Sequence, residues 1–414
     1  MKKSIRIILW TLFGILAAVY IVLFVAYNAY KPGKVAAEPS AEALAYWNET
    51  YEDSREDFLR SVDRLKEEYN GVEYSKIKVP SSIDDNLFVD LSYIPAQDTC
   101  INLLVITSGI HGVEGFTGSA IQLMLANEII NPEYLSSTGL VLIHSLNPFG
   151  FKEIRRVSEN NIDLNRNCAI DPSLYDNVNK GYGNLYDMLN PAGKADHANS
   201  RNRNYHLIAI GKILAESMPI LRQAVLQGQY EYPGGLYYGG EELEPQFRSL
   251  KPILGSLMDD YKLVLTIDLH TGYGQNGRMH LSPNPIDDQS IREGLEGLFK
   301  GYEIDWGDSD DFYTILGSFA DWAGTLADSI IYYPMVFEFG TLDSQKTLGS
   351  IRSLHNMILE NQGYHYGYMN DKAEKVIKNQ FREMYYPSSE EWRTKVIMDS
   401  REILEKVFER LAGN

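Results

Sequence analysis

Hydrophobic positions along the chain follow two rhythms. Short runs, "LFVDLSYI", "INLLVIT", "GLVLIHSL", "KLVLTIDLH" and "MVFEFG", read as strands. Two of them alternate apolar with polar residues, whereas "INLLVIT" and "LVLI" are almost continuously apolar, as in strands covered on both faces. Between them the apolar residues recur at helical spacing, as in "SAIQLMLANEII" and "NYHLIAIGKILAESMPILRQAVLQ". Strands that alternate with helices predict an α/β fold: a mixed, mainly parallel twisted sheet with helices on both faces. Residues 41 to 70 read as a further helix, and the chain beyond about Ser350 is helical, ending in the amphipathic "EEWRTKVIMDSREILEKVFERL".

The N-terminus breaks this rhythm. "MKKSIR" carries three cations, and Ile7 to Tyr27 then runs 21 residues without a charge. At about 1.5 Å per residue such a helix crosses the roughly 30 Å of a bilayer core. Its apolar residues surround the helix, which argues against a half-buried core helix. The basic flank predicts a cytoplasmic N-terminus and an extracytoplasmic body in the cell membrane. A cleaved signal peptide is the competing reading, although its apolar region usually spans about 7 to 15 residues. The expected organisation is a cytoplasmic tip and signal-anchor over 1–30, a polar tether over 31–40, a catalytic domain over 41–365 and a helical extension over 366–414 packed on it.

Composition narrows the partners. A formal net charge of −18 over 414 residues disfavours nucleic acid. Two cysteines, Cys100 and Cys168, are too few for a disulfide scaffold, and their spacing leaves open whether they pair. Oligomeric state has no signature in the sequence.

Candidate chemistry collects where apolar runs end. "SGIHGVEGFTG" places His111 and Glu114 three apart directly after "INLLVIT", and His270 closes "LVLTIDLH" before the turn "TGYG". In α/β sheets, ligand-binding groups gather at strand carboxyl ends. Two imidazoles and one carboxylate with a fourth position open is the ligand set of a hydrolytic zinc site. Arg155, Arg156 and Arg166 lie in one loop-like stretch, "NPFGFKEIRRVSENNIDLNRN", and suit a site that clamps a carboxylate and steadies an oxyanion. Glu338 stands alone between Phe337 and Phe339, where burial without a partner is costly. No G-x-S-x-G elbow occurs, which disfavours a serine hydrolase.

These pieces, in this order, resemble the zinc carboxypeptidase (M14) superfamily, and within it the bacterial DUF2817 branch, over roughly residues 75 to 350. The family pattern is H-x-x-E, an arginine upstream of D-x-N-R, a distant histidine, a tyrosine and a glutamate. The resemblance implies one Zn2+ held by His111, Glu114 and His270, with a zinc-activated water and Glu338 as general base. It implies Arg156 as the oxyanion arginine, with Arg155 the alternative, and Asn165 and Arg166 as ligands of the substrate carboxylate. Asp163 would orient His111. "YTILGSFADW" matches the spacing of a substrate-capping tyrosine at Tyr313. Ala320, before Asp321, departs from the digestive members and offers no charged selector. The long insertion before "LTIDLH" contains "GQYEYPGGLYYGG", a candidate rim for the cleft. The implied activity is a membrane-anchored peptidase or amidase acting on a peptide or N-acyl amino acid with a free carboxylate. The alternatives are an N-acyl amino-acid deacylase of the same superfamily and a metal-free, non-catalytic binding domain.

Overall fold

The computed structural model describes residues 2–307 and 314–413. Helix α1 spans Lys2–Asn28. The elements that position the site follow it. Helix α2 is Tyr51–Glu68, and strands β1 to β3 are Glu73–Lys78, Phe88–Ile94 and Asn102–Ser108. Helix α3 is Gly115–Met124 and strand β4 is Thr138–His144. Helices α4 and α5 are Tyr205–Glu216 and Met218–Leu226, joined at Ser217. Strands β5 to β7 are Leu263–Gly272, Met279–Leu281 and Ile331–Gly340. Helices α6 to α8, Thr347–Tyr366, Asp371–Tyr385 and Glu390–Ala412, complete the chain.

The seven strands form one sheet in the order β1-β2-β4-β3-β5-β7-β6. Strands β4, β3, β5 and β7 run parallel at its centre, and β1, β2 and β6 add antiparallel edges. This is the mixed α/β architecture that the apolar rhythm predicts. Leu103, Leu104, Val105 and Ile106 of β3 are fully buried, as a central strand covered on both faces requires. From β3 the chain passes to β4 on one side and from β4 crosses to β5 on the other, so a crevice opens beyond the carboxyl end of β3.

Helices lock onto this sheet through polar ties as well as burial. Arg55 of α2 pairs with buried Asp90 of β2 through two bonds of 2.6 and 2.9 Å. The indole N–H of Trp392 in α8 donates to the Gly340 carbonyl at 2.8 Å, and Asn102 at the start of β3 donates to Leu411 at 2.8 Å. The C-terminal helix thus caps both ends of the central strands.

Two sequence expectations change. The helix expected over 41 to 70 is interrupted: a short turn at Ala41–Leu44 ends before Trp47, and Thr50 starts α2 by accepting from Asp53 N–H. Trp47 is buried there against Tyr386 and Trp392. The long pattern beginning "NYHLIAIG" breaks at Ser217, whose φ of 72° and following Pro219 separate α4 from α5. Within residues 31 to 40, Gly33 is hydrogen-bonded to Asp343 and Asn276, and Ser40 N–H to Thr394.

Helix α1 is long and apolar enough to cross a membrane, with mean hydropathy 2.6 over an 18-residue stretch within Ser4–Asn28, a pattern that a signal sequence shares. Its last turns touch the body. Tyr20 donates to Asn204 at 3.0 Å, and the Tyr27 ring stacks on His206 with centroids 5.0 Å apart.

Candidate metal centre

His111 leaves β3 through Gly109, whose φ of 63° favours glycine and where a side chain would strike Ser145. Gly112 follows because the 150s loop passes against it: an added Cβ would meet the backbone of Gly150 and Phe151. That close passage lets Gly112 and Val113 N–H donate to the carbonyls of Arg156 and Arg155 at 3.0 and 2.9 Å. The two glycines therefore bring a second loop, and its arginine, alongside His111. Glu114 then starts α3 one turn later and faces the same crevice.

Three donor atoms converge there. His111 Nδ1 lies 2.9 Å from Glu114 Oε1, His270 Nδ1 lies 3.1 Å from Glu114 Oε2, and the two Nδ1 atoms are 3.1 Å apart. Tetrahedral ligands at about 2.0–2.2 Å from zinc sit roughly 3.4 Å from one another, so this spacing fits a single ion. All three side chains are buried. Against burial, which raises its pKa, His111 and His270 hold Glu114 down to about 2. Burial would lower His270, but Asp268 and Glu114 outweigh it and push the imidazole well above its ordinary range. Two imidazole nitrogens facing one carboxylate make a donor set for a cation, and the residues present fit zinc.

The ligands are held from behind. Asp268 Oδ2 lies 2.8 Å from His270 Nε2, and its other oxygen accepts from Thr107 at 2.5 Å. Asp163 Oδ1 lies 3.3 Å from His111 Nε2 and also accepts from Asn165 N–H. Carboxylates in these positions fix ring orientation.

The arginines divide. Arg156 faces the centre, with Nε on Asp163 at 3.0 Å, one terminal nitrogen 2.6 Å from His111 Nε2 and the other 3.5 Å from Glu114. Arg155 turns away and pairs at 3.0 Å with Glu360 of α6. Arg166 donates through Nε and one terminal nitrogen to Leu226 O and through the other to Asn165 O. These bonds use three of its five N–H groups and leave one proton on each terminal nitrogen. Asn165 Oδ1 accepts from Phe319 N–H at 3.0 Å.

Glu338 lies opposite. It is the register partner of His270 across β5 and β7, and Tyr273 N–H donates to it at 2.9 Å. Burial first, and the Glu114 carboxylate second, push it up to about 8, against His270, the Tyr273 N–H and Arg156. His111, Glu114, Arg156, Asn165, Arg166, His270 and Glu338 all line one cavity of about 410 Å3. Ala320 lines it too, and Tyr313 lies outside the described residues.

Three residues escaped the sequence reading. Asp268 was legible, since alternate residues of a strand share a face and "DLH" puts it behind His270. Tyr237 stands with its ring 5.4 Å from the Arg156 guanidinium and 5.6 Å from that of Arg166, so the "LYYGG" segment is a wall of the site. Tyr385 of α7 hydrogen-bonds Arg156 and lines the cavity. Tyr237 belongs to the aromatic segment read as a candidate rim of the cleft, whereas nothing local in the sequence marks Tyr385. Cys100 is exposed and Cys168 buried, and both are free.

An α/β protein with a buried His-Glu-His cluster at the switch point of its sheet is the class that fold and site define. The sequence profile of the DUF2817 family, described as a protein of unknown function, matches residues 47–399, and the chain belongs to that family. This is the branch that the motifs resemble. No curated protein matches the chain in sequence. Among solved structures, it is similar to thrombin activatable fibrinolysis inhibitor at 14% identity, covering 91% of this chain and 78% of that one with a TM-score of 0.45. The bovine form of that inhibitor, in complex with tick carboxypeptidase inhibitor, aligns at 14% identity over 81% and 99% of the two chains, with a TM-score of 0.42. A succinylglutamate desuccinylase from Silicibacter sp. TM1040 aligns at 13% identity over 72% and 68%, with a TM-score of 0.34. Likenesses at these scores do not bear on what this chain binds or cleaves.

Proposed function

We propose that this protein is a membrane-anchored, zinc-dependent hydrolase of peptide or amide bonds whose substrate carries a free carboxylate. The observation that supports it most is the meeting of His111 Nδ1, Glu114 and His270 Nδ1 within 3.1 Å of one another beside Glu338. Zinc, when bound, supplies polarisation of the scissile carbonyl and lowers the pKa of water at the site.

The chain's own residues supply the rest. Glu338 takes a proton from the attacking water and delivers it to the leaving nitrogen, the role of a carboxylate within reach of both. Arg156, held by Asp163, donates to the oxygen that gains negative charge as the carbonyl becomes tetrahedral. The two uncommitted protons of Arg166 and the Asn165 amide receive the substrate carboxylate. Asp163 and Asp268 keep His111 and His270 in the tautomer that presents Nδ1. Tyr313, outside the described residues, has the capping role that the motif implies.

Helix α1 serves as the anchor, with the cationic residues before Ile7 on the cytoplasmic side. One experiment tests the reading: metal analysis of the purified full chain, coupled to hydrolysis assays on C-terminally free peptides and on N-acyl amino acids. Stoichiometric zinc with turnover of either class is expected. A metal-free protein inert toward both, with and without added zinc, would leave only a binding domain.

A further inference from the structure

The cavity lining extends well past the metal-binding residues. Leu185, Ile213, Leu221, Val225, Leu354 and Met357 make an apolar arm of it, with Lys212, Arg222 and Ser353 also lining the cavity. These come from Lys180–Leu189, from α4 and α5 and from α6. Several belong to one apolar cluster that also includes Tyr27 of α1, so apolar packing runs without interruption from the anchor helix to the arm.

Two helices of this wall, α4 and α6, also meet the anchor. Tyr20 reaches Asn204 at the start of α4, Tyr27 stacks on His206, and its hydroxyl lies 2.6 Å from His355 of α6. Seven residues separate Tyr20 from Tyr27, about 10 Å of helix, so the contact covers the last third of the span. If α1 crosses a bilayer, Tyr27 lies at the lipid interface together with His206 and His355, and Asn204 lies about 10 Å deeper beside Tyr20. The same two helices carry exposed apolar residues: Leu214 is 82% exposed and Ile220 60% exposed. Arg203 and Arg352 lie over the rings of Phe24 and Tyr27 there, placing cations beside the end of the span in a chain of net charge −18. An amphipathic helix at an interface buries apolar side chains among acyl chains and keeps its cations at the headgroups.

We propose that the amide hydrolysed here belongs to a membrane-resident amphiphile, an amino acid N-acylated with a long aliphatic chain, which lies in the apolar arm while its amide and carboxylate lie at the metal-binding end. This rests on the hydrolase reading above and specifies its substrate. An extended peptide in the same arm would bring backbone N–H and C=O groups against apolar side chains at a desolvation cost that an alkyl chain avoids. In the reaction the amide C–N bond breaks and a C–O bond forms from water. The acyl carbon leaves as a fatty carboxylate, and the water proton goes to the released amine. Both products are amphiphilic or soluble, so the long-chain carboxylate returns to the bilayer and the amino acid to water.

The test uses the full zinc-loaded chain in phosphatidylcholine nanodiscs with a series of N-acyl phenylalanines from acetyl to palmitoyl. Each buried methylene strengthens binding about two- to fourfold, so kcat/KM should climb by two orders of magnitude or more along the series before levelling. A palmitoyl phenylalanine bearing a diazirine on its chain should photolabel α4, α5 and α6. Ala209→Phe and Ile213→Trp, which narrow the arm, should each cut the palmitoyl-to-acetyl ratio of kcat/KM at least tenfold. Equal or better turnover of the acetyl compound, with label confined to α1, overturns the lipid substrate and leaves the hydrolase standing. Label in the arm with no hydrolysis of any amide or peptide overturns the hydrolase, and with it this substrate, leaving a lipid-binding cavity.

Discussion

His270 and Glu338 are register partners on adjacent parallel strands, so both side chains leave the sheet on the same face and into the same cavity. Backbone pairing along β5 and β7 therefore sets the distance between a proposed metal ligand and a proposed general base. A rigid sheet holds such a pair more reproducibly than two loops could.

His270→Ala should abolish stoichiometric zinc in the purified chain, read by atomic emission, while circular dichroism keeps the α/β signature. Zinc content equal to that of the native chain would remove His270 from the ligand set.

Glu338→Gln should keep zinc and thermal stability and lower turnover by about 100- to 10,000-fold, the usual contribution of a positioned acid or base. Native-like turnover would pass the proton-transfer role to another group.

Asp268→Asn preserves shape and removes the charge behind His270. Zinc affinity should fall about 10- to 100-fold, measured by competition with a chromophoric chelator. An unchanged affinity would make the 2.8 Å contact with His270 Nε2 a packing detail.

Gly112→Ala forces a Cβ into the backbone of Gly150 and Phe151. Overpacking of this kind costs about 1–3 kcal/mol or more, and here it also parts the loop that carries Arg156 from His111. A lowered urea midpoint together with weakened zinc binding is expected. Loss of only one of the two would separate packing from site geometry.

His144, at the end of β4, is fully buried against Phe58, and desolvation pushes its pKa down to about 4. In the unfolded chain it titrates near 6.5. Its folded pKa is depressed, so the associated stability is present above pH 6.5 and is lost as pH falls from there toward 4. His144→Phe should flatten this limb, gaining about 2 kcal/mol relative to the native chain between pH 7.5 and 5. Urea unfolding at the two pH values reads it, and parallel losses in both proteins would place the acid sensitivity elsewhere.

Much of this was legible in the sequence because the central strands bury both faces. "INLLVIT" and "LVLI" admit few readings, and "HGVE" directly after one of them exposes the site. Edge strands were harder: "EYSKIK" of β1 alternates weakly against solvent, and "MHL" of β6 is too short to register. The break at Ser217 was hidden because α4 and α5 share one continuing apolar pattern. Arg155 and Arg156 are chemically identical neighbours, and only the turn of the loop sends one to Glu360 and the other to His111. Tyr237 reaches the site from the aromatic segment read as a candidate rim, and Tyr385 from a helix that carries no signal of its own.

His111 and His270 are 159 positions apart and meet only when β5 pairs with β3. The unfolded chain has no such pocket of nitrogens, so a cation bound there binds one state and not the other. Free zinc at a thousand times its dissociation constant would then add about 4 kcal/mol to the folded form. Metal supply becomes a control on abundance: in a zinc-poor compartment the same chain populates its unfolded state more often and meets proteases sooner.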